Sequence, residues 1–98
     1  MTAEQLMRSR YSAFALGDAG YLADSWHPST RPARIVLDPG RRWTGLQVIG
    51  TEAGGMLAPT GTVEFRAHYL EGGRAGQQHE VSRFVREAGR WLYLDAQP

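Results

Sequence analysis

The sequence predicts an α+β domain in which N-terminal helices lie on one face of a strongly curved antiparallel sheet of about four strands. Three observations carry this. Residues 3 to 16 form a Gly- and Pro-free amphipathic stretch between helix-capping signals. From Trp43 onward the chain changes to β-rich segments separated by Gly-containing turns. Helices come first and strands second, so hairpins join the strands and the helices cover one sheet face.

The elements follow in order. Thr2-Ala3-Glu4-Gln5 reads as a capping box, in which the Thr2 hydroxyl accepts from the backbone three residues on while Gln5 reaches back. Gly17 is a natural left-handed stop for the first helix. Asp18 then caps a short second helix running to about Trp26, ended by His27-Pro28 because the residue before proline is driven out of the α region. Residues 27 to 42 hold three of the five prolines and read as a connection with at most a short strand at Ile35 to Leu37. Strands are expected at Trp43 to Thr51, Thr60 to Leu70, Gly76 to Arg86 and Arg90 to Asp95, with turns at Gly54-Gly55, Gly72-Gly73 and Ala88-Gly89.

Composition narrows the chemistry. Ninety-eight residues give one domain, residues 1 to 98, with a core burying roughly 60 to 70 per cent of the unfolded surface. No cysteine is present, which removes disulfides, thiolate zinc sites, iron–sulfur clusters and a cysteine nucleophile; no metal and no cofactor is expected. All eleven cations are arginine, scattered from Arg8 to Arg90 against ten carboxylates, so no basic stripe points to nucleic acid. Apolar runs fall far short of the ~20 residues of a membrane span, and the N-terminus lacks a signal-peptide pattern. The expectation is a cytoplasmic protein with neither nucleic-acid nor membrane partners.

Two ions sit where apolar residues belong. On a helical wheel Ala3, Leu6, Met7, Tyr11 and Phe14 share one sector, and Arg10 falls inside it. A two-residue Gly72-Gly73 turn sets Glu71 opposite Arg74 and Phe65 opposite Glu80, so that Val63, Phe65, Ala67 and Tyr69 share a face with Gln78, Glu80, Ser82 and Phe84. Arg10 and Glu80 then either meet as a buried ion pair or snorkel separately to the rim. The same aromatic face, roofed by Tyr11 and Phe14 and extended by Trp26, His27 and Tyr93, has the composition of a small-molecule cleft and equally that of an ordinary aromatic core.

The opposite face carries Glu64, Arg66 and His68 beside Gln77, His79 and Arg83. His68 and His79 are diagonal neighbours, roughly 7 to 8 Å apart and separated by Arg66, which reads as a solvated polar face rather than a metal site. The last hairpin has two registers. With Ala88-Gly89 as a two-residue turn, Phe84 faces Tyr93, and Trp91, Tyr93 and Asp95 join the Glu80 face; with a Gly bulge, Leu92 and Leu94 point there instead. Val81, Val85 and, in one register, Leu92 and Leu94 make a convex apolar strip that could support a homodimer.

Met7-Arg8-Ser9-Arg10-Tyr11-Ser12-Ala13-Phe14, Trp26-His27-Pro28-Ser29-Thr30-Arg31-Pro32, Glu64-Phe65-Arg66-Ala67-His68-Tyr69, His79-Glu80-Val81-Ser82-Arg83-Phe84 and Gly89-Arg90-Trp91-Leu92-Tyr93-Leu94-Asp95 together resemble the YchJ-like family of bacterial proteins, nearly end to end. The resemblance implies an NTF2-like, cystatin-like cone: helices packed into the mouth of a bent antiparallel sheet. Longer members of that family carry Cys-rich zinc-binding SEC-C motifs beside this domain, and the cysteine-free sequence contains none. NTF2-like cones serve binders and enzymes alike, so two functions follow. One is an accessory domain whose aromatic interior holds a small apolar ligand or a peptide, oriented by Arg10 and Glu80. The alternative is an isomerase- or hydrolase-type enzyme with Glu80 or Asp95 as general base, Arg10 holding an anion, and Tyr11 or Tyr93 donating to an oxyanion; His27 is a weaker base candidate. A direct Arg10–Glu80 pair would make that carboxylate a poor base and favour the binder.

Overall fold

Thr2 and Gln5 close the expected capping box: the Gln5 amide donates to Thr2 Oγ1 at 3.2 Å and the Thr2 amide to Gln5 Oε1 at 2.8 Å. They start helix α1, Ala3–Leu16, in a computed structural model that describes all 98 residues. Gly17 ends it in the left-handed conformation, φ 74°, which costs a glycine nothing. Asp18 accepts from the Tyr21 amide at 3.0 Å and caps α2, Ala19–Asp24. That helix stops two residues short of Trp26. Residues 25 to 27 turn instead onto the sheet, where the Tyr93 amide donates to Ser25 O and the His27 amide to Tyr93 O, both at 2.8 Å, making an isolated parallel bridge. A Ser9–Tyr21 hydroxyl pair at 2.6 Å ties the two helices together.

The sheet is an antiparallel meander in chain order: β1 Arg41–Ala53, β2 Thr60–Glu71, β3 Arg74–Glu87 and β4 Arg90–Ala96. Each strand contains its predicted segment and runs up to two residues further at either end. The Ile35–Leu37 segment forms no strand: nothing pairs with it, and prolines at 28, 32 and 39 remove donors from its flanks. The Gly72-Gly73 turn gives the expected register, with Glu71 opposite Arg74 and Phe65 opposite Glu80.

Ala88-Gly89 is a two-residue turn with positive φ at both positions, 51° and 76°, as a type I′ hairpin requires. Phe84 therefore faces Tyr93. The register then slips, because Arg83 pairs with Asp95 and leaves Leu94 as the extra residue of a β-bulge. The slip carries Asp95 off the Glu80 face. Two further slips, at Thr44 and Ile49 of β1, bend the outer strand in the same manner.

Helix α1 lies across the concave face. Ala3, Leu6 and Met7 pack with Val63, Phe84 and Trp91 as the core cluster, with Leu46, Val48, Phe65 and Tyr93 around it. The helix start is pinned by the Ala3 amide donating to Gly54 O at 3.0 Å. Gly54 and Gly61 make that approach feasible, since a Cβ on Gly61 would come within 2.4 Å of the Gly54 Cα. No helix is long and apolar enough to cross a membrane.

Candidate functional site

Beside this core, with which it shares Met7 and Phe84, the cone is not filled. A cavity of about 270 Å³ lies between α1, the Trp26 bridge and the concave sheet face. Met7, Tyr11 and Phe14 roof it from α1, spaced so that one helical face presents all three. Phe65 and Ala67 on β2, Gln78, Glu80, Ser82 and Phe84 on β3, and Tyr93 on β4 form its floor through the alternation of the strands. Trp43 closes the β1 side. Its ring stands edge-on to Tyr11 and Tyr69, with centroids 6.2 and 5.5 Å away, and Phe14 leans on it at 6.2 Å.

Arg10 is the cation of this cavity and is only 5% exposed. Its Nη1 donates to the Leu22 carbonyl at 2.8 Å and to Ser25 Oγ at 2.7 Å, and the Ser25 hydroxyl in turn donates to the Tyr21 carbonyl at 2.7 Å. The guanidinium carbon lies 4.5 Å from the Tyr93 ring centroid and 5.0 Å from that of Trp26. Those two rings are themselves edge-on at 5.0 Å, so the arginine rests in an aromatic notch. Burial pulls its pKa down to about 10, partly offset by Tyr93 and then by the charge of Glu80, which leaves it ionised at neutral pH.

Glu80 does not pair directly with Arg10. Its Oε2 accepts from Ser82 Oγ at 2.5 Å and from the Tyr93 hydroxyl at 3.3 Å. Of the two expected arrangements neither is found: Arg10 is buried rather than at the rim, and Tyr93 stands between the ions, with the guanidinium on its ring face and the carboxylate at its hydroxyl. Burial first, and then the Glu80 charge, push the Tyr93 phenol well above its ordinary range.

Of the residues expected around the pocket, Arg10, Tyr11, Phe14, Trp26, Phe65, Glu80, Ser82, Phe84 and Tyr93 do line one cavity. His27 and Tyr69 do not. His27 lies outside, where its Nδ1 meets Ser29 Oγ and its Nε2 meets Glu87 Oε2, each at 2.7 Å, and so pins the connecting loop to the end of the β3–β4 hairpin. Tyr69 forms the outer rim, with its ring laid against Gly76 and Arg41 stacked on it at 4.0 Å. Asp95, expected on the cavity face in one register, is on the opposite one, held by both Nε and Nη2 of Arg83. This guanidinium keeps the Asp95 carboxyl below its ordinary range. On the same convex face His79 pairs with Glu64 at 2.6 Å, and Leu92 is buried.

Met7, Trp43, Ala67 and Gln78 complete the lining; the sequence places Met7 on the apolar face of α1 and Ala67 and Gln78 on the Glu80 face, without marking them as pocket residues. Ala67 and Gln78 carried a signal, since the hairpin register puts them on the face of Glu80. Trp43 carried none, because its place depends on the bulged pairing of β1 with β2.

A helix pair seated in the mouth of a bent antiparallel meander, enclosing an aromatic cavity, defines an NTF2-like domain. The chain belongs to the family described as YchJ, middle NTF2-like domain, whose model matches residues 2–96. It is 57% identical over 96 residues to a UPF0225 protein of Streptomyces coelicolor, covering 98% of this chain and 74% of that protein. It is 50% identical to one of Streptomyces avermitilis, covering 98% and 66%. Among solved structures, the solution structure of a SEC-C motif containing protein from Rhodopseudomonas palustris superposes with a TM-score of 0.83 at 32% identity, over 98% of this chain and 77% of that one. The crystal structure of a SEC-C motif containing protein from Psychrobacter arcticus does so with 0.76 at 30% identity, over 96% and 59%.

Proposed function

We propose that this domain is a small-molecule binding module, with the cone interior as its site. The carrying observation is that the cavity lies open between a buried, positioned arginine and a carboxylate that makes no direct contact with it. A filled core would have spent both ions on each other. At about 270 Å³ the space sits just under the ~300–1,000 Å³ of drug-sized sites, which suits a small ligand with an apolar body and a polar head. Arg10 is held in advance by two hydrogen bonds and two rings, so little ordering cost remains for a ligand.

The test is a thermal-shift and titration screen of small aromatic compounds against the protein and an Ala67→Phe variant, whose new ring occupies the cavity floor. Binding adds about 2.7 kcal/mol of stability at 100 times the dissociation constant. Saturable shifts in the parent that vanish in Ala67→Phe support the reading; equal responses in both oppose it.

One observation favours a second reading. Glu80 faces the cavity with hydroxyl rather than guanidinium neighbours, the disposition required of a general base beside a proton donor such as Tyr93. Enzyme-dependent deuterium exchange into the α-carbon of a bound small ketone, lost in Glu80→Gln, would establish it; exchange at the buffer rate rejects it.

A further inference from the structure

Both ions of the cavity hold hydrogen-bonding capacity in reserve. Arg10 spends Nη1 on Leu22 and Ser25, while its Nε and Nη2 have no protein partner. Glu80 receives both of its hydrogen bonds on Oε2, and Oε1 receives none. Between them stands one tyrosine ring: Tyr93 lies under the guanidinium at 4.5 Å and touches the carboxylate with its hydroxyl at 3.3 Å. A positive and a negative pole are thus set side by side on the cavity wall without being in contact.

Resting on the binding reading above, we propose that the ligand is a small zwitterion with an apolar side chain, of the α-amino acid kind. Its carboxylate meets the free edge of Arg10, its ammonium meets Glu80 Oε1, and its side chain lies among Met7, Phe65 and Phe84. The other ligand classes fit worse on charge. A simple carboxylate would satisfy Arg10 but bring an unbalanced negative charge beside Glu80 into an apolar space. A simple ammonium would do the reverse against Arg10, and a hydrocarbon would leave the free Arg10 Nε and Nη2 and Glu80 Oε1 without partners in a dry space. Only a ligand bearing both charges pairs each ion and keeps the site neutral. It also breaks no existing ion pair on entry, because Arg10 and Glu80 are not in direct contact. Both poles are held in advance, Arg10 by the helix pair and Glu80 by Ser82 and Tyr93, so both head-group contacts are oriented before the ligand arrives.

The experiment is isothermal titration of the full chain with L-phenylalanine, 3-phenylpropionate, 2-phenylethylammonium and indole, which share an aromatic body and differ in charge. L-Phenylalanine should bind about tenfold or more tighter than either singly charged analogue. In Glu80→Gln its advantage over 3-phenylpropionate should disappear, whereas Ser82→Ala, which keeps the carboxylate, should retain a preference. If 3-phenylpropionate or indole binds as tightly as L-phenylalanine, the zwitterion proposal fails while the cavity remains a binding site. If none of the four binds, both readings fail. Because the ligand comparison is made on the unaltered protein, it decides the matter even where a variant does not fold.

Discussion

Replacing Arg10 by methionine removes the one charged side chain that α1 sends into the interior while nearly preserving its length. Two charge-assisted hydrogen bonds disappear, to Leu22 O and Ser25 Oγ, each contributing about 1.5 to 3 kcal/mol. The contacts with the Tyr93 and Trp26 rings contribute about 0.5 to 2 kcal/mol more. Against this stands the relief of no longer keeping a guanidinium out of water, the cost that holds its pKa down at about 10. Ser25 keeps its bond to the Tyr21 carbonyl, so the Leu22 carbonyl is the main group left wanting. The net expectation is a loss of about 2 to 4 kcal/mol, a downward shift of roughly 1 to 3 M in the urea midpoint for a domain of this size. Double-mutant cycles locate the interaction: Arg10 with Ser25→Ala should couple by about 1 kcal/mol or more, and Arg10 with Glu80→Gln by less. A loss below about 0.5 kcal/mol, or a larger coupling to Glu80 than to Ser25, would show that Arg10 is not anchored by the helix pair.

Three further substitutions probe the frame. Gly61→Ala should cost about 3 kcal/mol and loosen the start of α1, because its Cβ would come within 2.4 Å of the Gly54 backbone and 3.3 Å of Ala3 Cβ; chemical denaturation with amide exchange at residues 3 to 6 checks it. Thr2→Ala should lose about 1 kcal/mol by opening the capping box, and Thr2→Ser should not, as thermal melts would show. Asp95→Asn should flatten the acid limb of stability. Since Arg83 depresses the folded carboxyl below 3.8, the pair stabilises above that pH and fades as pH falls through the lower, folded value. Urea midpoints of parent and variant should therefore differ at neutral pH and converge in strong acid.

Most of the frame was readable because local chemistry and tertiary structure agree in it. Thr2, Gln5, Gly17 and Asp18 mark helix ends by mechanism, and Gly72-Gly73 admits one hairpin register that fixes every inward residue of β2 and β3. The misreadings lie where long-range geometry decides. Leu94 has no feature that marks a bulge, yet it moves Asp95 from the cavity to Arg83. Arg10 was visible as an anomaly on an apolar helix face, but its partner was not: Ser25, fifteen residues away, is an unremarkable serine until the Tyr93 bridge turns it inward. His27 is drawn outward by Glu87, sixty residues on, a pairing that neither residue's neighbours foretell.

A binding role requires the cone to be a cavity that a ligand can enter rather than a packed core. Intermolecular nuclear Overhauser effects to a bound aromatic probe test this most directly. With saturating indole or L-phenylalanine, ring protons of the probe should show contacts to the Met7 methyl and to the rings of Phe65, Phe84 and Trp43, all of which line the cavity. Contacts confined to exposed side chains such as Leu16, Val36, Met56 or Leu57 would contradict it.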